Sequence, residues 1–490
     1  MSQSSDSDAE DMMTDEDGLV LTSPKFSQNP QGSVTTNQKV QPTTQSSSKR
    51  SENKNYSSST IVANPVSEQK PNFIPVRDKL PAVKENTNVN IWNIIRPLIG
   101  KDLTKVAMPV ILNEPLGALQ KACEDLEYYD LLIHAQNCGH NNPVERMTYV
   151  ALFVISAYYS SQFRASTKPF NPLLGESYEY QNEHFKFVAE QVSHHPPLSA
   201  SYACSQTVNS NVSDGSIARP QWEFEQVMRY KTKFWGRSME LLPSGHLKLT
   251  FYDQVKDKNS GKIIQEKQEY TWNKITTCIQ GLITGQRSVS NYGDITLTCK
   301  QTSLEGKISF EKKGGWGSSS SAGSITGKIY HANNPSKQLE RLNGSWTEKV
   351  VSSSNKVWRG RPLPVNSESL YYGFTDFAMS LNYVPNPADG SFKNCILNPL
   401  PITDCRFRPD QRALENANLE RAESEKLRLE QMQRDRRKER EEDQSIPKFK
   451  PKWFVKFGGN DEDFTYNRAN DYFGSKDRNF EGEKFEGPLW

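Results

Sequence analysis

The sequence predicts a mainly β protein with flanking helices. Three observations carry that expectation: a helical stretch before the middle of the chain, a succession of period-two runs through the middle, and a long charged helical stretch near the end. The middle runs are Tyr178 to Glu190, Trp222 to Tyr230, Lys233 to Glu240, His246 to Tyr252, Ile263 to Trp272, Ile295 to Cys299 and Leu304 to Phe310. Each is rich in aromatic or β-branched residues and bounded by Gly, Pro, Asp or Asn, so antiparallel sheet is the economical account. A sheet this wide must protect its edges. Closure into a barrel does so and leaves an interior large enough for an apolar ligand.

The helical stretches differ in character. Tyr149 to Tyr159 is the longest apolar run, well short of the roughly 20 residues that span hydrocarbon. Pro143 and Glu145 stand near a helix start, and Val150, Val154, Ala157 and Tyr158 share one face, so a buried helix is predicted. From Asp410 to about Asp443 the chain lacks helix breakers and is rich in Ala, Leu, Glu, Gln and Arg, which predicts one long helix. Between Ile91 and Leu103, the residues Ile91, Trp92, Ile94, Ile95, Leu98 and Ile99 recur near helical period, interrupted by Pro97 and ended by Gly100, with Arg96 and Lys101 alongside. Two uses compete for that face. It either docks on the core, or covers a cavity and partitions transiently into a membrane, where a tryptophan suits the interface.

The 490 residues suffice for a substantial core, but residues 1–75 are expected to be a disordered arm. They are dominated by Ser, Thr, Asn, Gln, Asp and Lys, open with an acidic stretch from Asp6 to Asp17, and show almost no apolar periodicity. Ser5 and Ser7 there are either phosphate acceptors or part of a solubilising tail. The start has neither the basic residues nor the apolar core of a secretory signal. Seven cysteines without CxxC spacing read as free thiols in a reducing compartment, hence the cytoplasm. Sixty basic against 58 acidic residues, a net charge of +2, do not make a polyanion binder, and no nucleic-acid motif is present. Attraction to anionic membranes must therefore be local. Trp453, Phe454 and the aromatics from Phe464 to Trp490 predict an irregular aromatic cap, bounded as 461–490.

Two constellations carry chemistry. The run Glu190-Gln191-Val192-Ser193-His194-His195-Pro196-Pro197 sets adjacent imidazoles at a stiffened chain reversal. The pair either binds a ligand through fixed donors or satisfies local backbone groups at a strand end. On the predicted long helix, Lys426, Glu430 and Arg434 recur every four residues. A carboxylate between two cations holds them extended for phosphate oxygens, whereas the bland alternative is a solvated face of ion pairs. An enzyme is disfavoured: Ser193 and Glu190 neighbour the histidines, but no nucleophile elbow, metal-ligand set or Walker loop occurs. Gly314-Gly315-Trp316-Gly317, followed by Ser318 to Ser321, reads as a surface turn with an exposed tryptophan.

The histidine run, together with Lys168-Pro169-Phe170-Asn171-Pro172-Leu173-Leu174-Gly175-Glu176, closely resembles the signatures of the oxysterol-binding-protein-related family of lipid transfer proteins. The resemblance continues through Lys101-Asp102-Leu103-Thr104, Asn113-Glu114-Pro115-Leu116, Glu124-Asp125-Leu126-Glu127-Tyr128 and Arg408-Pro409-Asp410 with the charged segment after it, and so covers most of residues 78 to 460. It implies a lipid-binding domain over 76–460: a large, nearly closed antiparallel β-barrel that encloses a lipid tunnel under an N-terminal lid, with Trp92 and Ile95 facing the apolar cargo. It also implies a phosphatidylinositol 4-phosphate headgroup site made of Lys168, Asn171, His194, His195, Lys426, Glu430 and Arg434. No cofactor is implied.

The expected activity is exchange of sterol and phosphatidylinositol 4-phosphate between cytosolic membrane faces. Alternatives are exchange of phosphatidylserine for the phosphoinositide, and a sensor or scaffold without net transfer. Expected locations are the cytoplasm and, transiently, the endoplasmic reticulum, Golgi or plasma membrane. Targeting is expected from the barrel surface or an organelle receptor. Glu127-Tyr128-Tyr129-Asp130 slightly resembles a receptor-docking core, but its apolar helical surroundings predict burial.

Overall fold

Period-two burial organises the largest element of the molecule. The computed structural model describes residues 77–85, 96, 108–209, 219–283, 286–312, 323–384, 400–460, 462–485 and 488–490. The expected arm at 1–75, the expected lid residues Trp92 and Ile95, and the glycine-rich run with Trp316 lie outside the described residues. Strands β1 (Asn113–Gly117) and β2 (Lys168–Phe170) pair in parallel outside the main sheet. The main sheet starts with β3 (Ser177–Gln181), β4 (Phe185–His194) and β5 (Pro197–Ser205). A two-residue ladder follows, β6 (Val208–Asn209) with β7 (Arg219–Pro220). The sheet resumes with β8 (Trp222–Phe234), β9 (Ser238–Lys256), β10 (Ile263–Trp272), β11 (Thr276–Gln280), β12 (Ser288–Cys299) and β13 (Leu304–Phe310). It ends with β14 (Ser324–His331), β15 (Asn334–Ser345), β16 (Lys349–Ser352) and β17 (Val357–Arg359). These thirteen antiparallel strands run in near-sequential order from β3 to β17, with β11 bridging β9 and β12.

The sheet departs from the sequence expectation at identifiable residues. Tyr178 to Glu190 is two strands, because the Asn182 side chain accepts from the His184 and Phe185 amides, 2.9 Å each, and turns the chain. Trp222 to Tyr252 is one long hairpin that reverses at Trp235–Arg237, where Gly236 takes φ +76°. Pro243 and Gly245 read as breakers, yet β9 runs through both. A Cβ at Gly245 would sit 1.9 Å from the Val227 carbonyl, so glycine marks a close approach of strands.

Helices α1 (Ala118–Cys123), α2 (Asp130–Asn137) and α3 (Pro143–Ser156) precede the sheet. Proline at the start of α3 supplies a pre-set φ where the amide needs no partner. Both flanks of α3 are buried, as the apolar run predicts, and it touches β13, β14, β15 and β17. Phe153 on α3 also meets Phe224 of β8 edge-on, with ring centroids 5.8 Å apart. One helix reaches such distant strands only if the sheet coils around it. Buried Arg146 fixes α3 to β9 and β10: its guanidinium donates to both Asp253 oxygens at 2.7 Å and to Gln268 Oε1 at 3.0 Å.

After the sheet come α4 (Ser367–Leu370), α5 (Asp376–Ser380), α6 (Pro409–Glu415) and α7 (Leu419–Glu442). The single long helix expected from Asp410 is therefore two helices. Ala417 adopts φ +55°, and the Asn418 side chain accepts from the Arg421 amide to cap the second. Beyond them, β18 (Phe454–Lys456) pairs with β19 (Phe464–Tyr466), and α8 spans Tyr472–Asp477. Aromatics of this segment bury against Val188, Val192, Leu198 and Val227 of β4, β5 and β8. Tyr202 and Tyr466 stack at 4.0 Å. The cap begins before residue 461, because the Glu190 carboxylate already accepts from the Lys452 and Trp453 amides, 2.8 Å each.

No described helix is long and apolar enough to cross a membrane. The six described cysteines, Cys123, Cys138, Cys204, Cys278, Cys299 and Cys405, are free thiols.

Candidate functional site

A three-residue strand presents Lys168, and its neighbours hold that strand in place. Asn113 on β1 donates through Nδ2 to the Pro169 carbonyl at 3.2 Å. The turn after β2 is braced from the far end of the sequence: buried Arg408 donates to Asn171 O, to Glu176 Oε2 and to Asp410, with 2.8 Å contacts to each. Glu176 Oε2 also accepts from the Leu173 amide at 2.9 Å. The Arg408-Pro409-Asp410 motif thus positions the Lys168–Glu176 segment rather than a ligand.

Helix α7 lies across this segment. Lys426 is buried and donates to Glu430 Oε1 at 2.5 Å, while Glu430 Oε2 is buried without a hydrogen-bond partner among the described residues. Burial and the Lys426 charge push the Lys168 pKa down to about 8, against the pull of Glu430. No hydrogen bond or ion pair is made by the Lys168 ammonium among the described residues. Two cations and one half-used carboxylate therefore converge.

The histidine hairpin stands on the same helix. His194 ends β4, Pro197 begins β5, and the two pair directly. Gln433 Oε1 accepts from the Leu174 amide at 2.8 Å, which turns its Nε2 toward His194 Nε2 at 2.9 Å. Arg437 Nη1 meets His195 Nε2 at 2.8 Å. A guanidinium only donates, and the Gln433 amide is oriented to donate, so each imidazole accepts at Nε2 and carries its proton on Nδ1. Burial, His195 and Arg437 push the His194 pKa down to about 4, which keeps that ring neutral.

Of the seven expected headgroup residues, the structure gathers Lys168, Lys426 and Glu430 and seats His194 and His195 against the same helix. Asn171 and Arg434 are exposed. Arg434 donates to Gln431 Oε1 at 2.8 Å and makes no ion pair with Glu430. Eight residues advance a helix by about 80° beyond two full turns, so Arg434 leaves the face of Lys426. Gln433 and Arg437, which sequence reasoning passed over, follow Lys426 by seven and eleven residues and return to its face within about 20°. That spacing was the available signal. Glu190, considered beside the histidines, is occupied by the cap amides. Glu127, Tyr128 and Tyr129 are buried.

The comparison with known proteins decides the family: a model described as Oxysterol-binding protein matches residues 90–477. The chain belongs to the oxysterol-binding protein family. Over 376 residues it is 45% identical to oxysterol-binding protein-related protein 3 of Mus musculus, covering 75% of this chain and 39% of that protein. Against the same-named Homo sapiens protein it is 44% identical over 376 residues, covering 75% of this chain and 38% of the relative. The chain thus spans under two fifths of those relatives. Oxysterol-binding protein-related protein 1B of Arabidopsis thaliana is 36% identical over 415 residues, 82% of this chain and 74% of that protein.

Two solved family structures align with it at a TM-score of 0.67. The Osh1 ORD domain in complex with cholesterol has 30% identity, covering 84% of this chain and 94% of that one. The Osh3 ORD in complex with PI(4)P from Saccharomyces cerevisiae has 29% identity, covering 84% and 99%. Both of these solved relatives are ORD domains with a bound lipid. Among the described residues, no group of three or more His, Cys, Asp and Glu side chains could hold a metal.

Proposed function

We propose that this oxysterol-binding protein family member binds sterol and phosphatidylinositol 4-phosphate in turn and exchanges them between the cytosolic faces of organelle membranes. The observation that carries the reading is the Lys168 ammonium, which makes no hydrogen bond or ion pair among the described residues and stands beside Lys426 and a Glu430 oxygen that has no hydrogen-bond partner among them. A phosphomonoester supplies negative charge between the two lysines, and the imidazoles of His194 and His195, seated on the same helix, extend the site. Glu430 Oε2 accepts only from a donor, so a sugar-like hydroxyl beside the phosphate completes the pairing; inositol offers both. Exposed Asn171 and Arg434 stand outside the Lys168–Lys426–Glu430 cluster and can meet only the solvent side of the headgroup.

The acyl chains would enter the space that the coiled sheet encloses, closed into a barrel, where burial contributes about 0.8 kcal/mol per CH₂. We assign Trp92 and Ile95, which lie outside the described residues, to a lid over that space. Sterol is the counter-cargo: the family includes the cholesterol-bound Osh1 domain, and a rigid apolar molecule suits a lidded tunnel. Unequal lipid supply in two membranes sets the direction of net transport. The protein works in the cytoplasm and visits the endoplasmic reticulum, Golgi or plasma membrane transiently, with an organelle receptor as a further partner.

Native mass spectrometry of the protein purified from its own cells tests the cargo. Separate one-to-one complexes with a sterol and with a phosphatidylinositol monophosphate are expected. Abundant phosphatidylserine without sterol would overturn the choice of sterol, and neither phosphoinositide nor sterol would overturn the reading.

A further inference from the structure

Two neighbouring loops hold large apolar side chains in water. Trp235, at the β8–β9 tip, is 62% exposed, and Ile283, just after β11, is 47% exposed. Single exposed apolar residues are ordinary; these two share a patch. The Leu282 amide donates to the Arg237 carbonyl at 3.4 Å, and β9 pairs with β11 from Ser238–Gln280 onward. The Trp235 indole is held by Nε1 donation to Glu240 Oε2 at 3.0 Å. Lys231, Lys233 and Arg237 are exposed on the same hairpin and make no ion pair among the described residues.

The patch stands at the end of the molecule that carries the candidate site. Beyond the Ser199–Met228 pair, β8 continues six residues to Phe234, roughly 20 Å past that rung in the direction of the histidine turn. On the β11–β12 loop, Arg287 Nη1 donates to Ser166 O at 3.1 Å, two residues before Lys168. The hairpin tip, the described ends of the β11–β12 loop and the Lys168 strand therefore lie along one edge.

We infer that this rim is the membrane-docking edge: Trp235 and Ile283 enter the lipid interface while Lys231, Lys233 and Arg237 face anionic headgroups. The inference rests on the lipid-exchange reading for its purpose, and it names the surface that brings the Lys168 site to the membrane. An indole suits the interface because it is apolar with one polar edge. The cations beside it draw the edge to a negatively charged surface at physiological ionic strength. A two-stranded tip holds the four contacts of the hairpin in fixed register.

The test uses the full chain with vesicles of phosphatidylcholine and phosphatidylserine that contain neither phosphoinositide nor sterol, and separately with a soluble short-chain phosphatidylinositol 4-phosphate. Trp235→Ala combined with Ile283→Asp is expected to lower vesicle sedimentation about tenfold. Lys231→Glu combined with Lys233→Glu should abolish the dependence on phosphatidylserine. Both variants should retain binding of the soluble lipid. Vesicle binding unchanged in either variant overturns the docking edge; if the apolar variant misfolds, the lysine variant alone decides. Failure of the unaltered protein to bind the soluble lipid would refute the headgroup reading, while a loss of vesicle binding in the variants would still uphold the edge.

Discussion

Protonating Lys168 places a second ammonium beside Lys426 in a desolvated setting, which is why its pKa falls to about 8. A bound phosphate dianion reverses that cost and raises the pKa. Headgroup affinity should then be level between about pH 7 and 8 and decline above that, by up to tenfold per pH unit. Below about pH 6 the phosphate itself gains a proton and binding weakens again. For the empty protein the sign is the opposite: a lysine pKa lower than in the unfolded chain destabilises below about pH 8, and that penalty is relieved as pH rises toward the unfolded value. Calorimetric titration with the soluble lipid from pH 6.5 to 9.5 checks this. Lys168→Arg should remove the alkaline decline, and an unchanged decline in that variant would assign it to another group.

Gln433 is the second test at this scale. Gln433→Glu still accepts from the Leu174 amide but cannot donate to His194, so the ring must place a proton on Nε2. The His194 pKa, now about 4, should rise by roughly 1–3 units, and headgroup affinity at pH 7.5 should fall because the added carboxylate repels phosphate. Ring ¹⁵N chemical shifts report both tautomer and pKa; an unaltered His194 tautomer would contradict the assignment. Such residues were hard to see in the sequence for a geometric reason. The four-residue recurrence of Lys426, Glu430 and Arg434 catches the eye but drifts around the helix, whereas the seven- and eleven-residue steps to Gln433 and Arg437 do not.

Among the elements, those with strong alternation were legible. Ile263–Trp272 and Leu304–Phe310 match β10 and β13 at both ends, and the apolar run marked α3. Strands β14 to β17 were not anticipated; β15 shows why, since its first five residues are all exposed and carry no apolar period. The split of the charged helix depended on Asn418 acting as a cap, which composition does not display.

The cap rests on Glu190. Glu190→Ala leaves two backbone amides without their acceptor, at a cost of about 2–4 kcal/mol. Chemical denaturation measures it, and a loss below about 0.5 kcal/mol would show that the cap is held elsewhere. The proposed lid calls for point changes rather than truncation from residue 76, because Leu80 is buried and Arg77 pairs with buried Glu415. Trp92→Asp combined with Ile95→Asp should release bound sterol during gel filtration while thermal stability holds. Retained sterol with a lowered melting temperature would favour the core-docking use of that face.

At the scale of the whole molecule, the sheet wraps one helix, the cap covers its outer face at β4, β5 and β8, and α7 joins the Lys168 strand to the histidine turn. The proposed cargo space and the proposed headgroup site thus rest on different elements, so the two should be separable by mutation. Lipid exchange between two liposome populations, one carrying phosphatidylinositol 4-phosphate and the other sterol, tests this most directly. The unaltered protein should move each lipid faster when the other is present in the opposite membrane. His194→Ala combined with His195→Ala should abolish phosphoinositide transfer and its acceleration of sterol transfer, and leave slow sterol transfer and the circular dichroism spectrum unchanged. Equal phosphoinositide transfer by the double variant, or no coupling between the two lipids in the unaltered protein, would contradict the account.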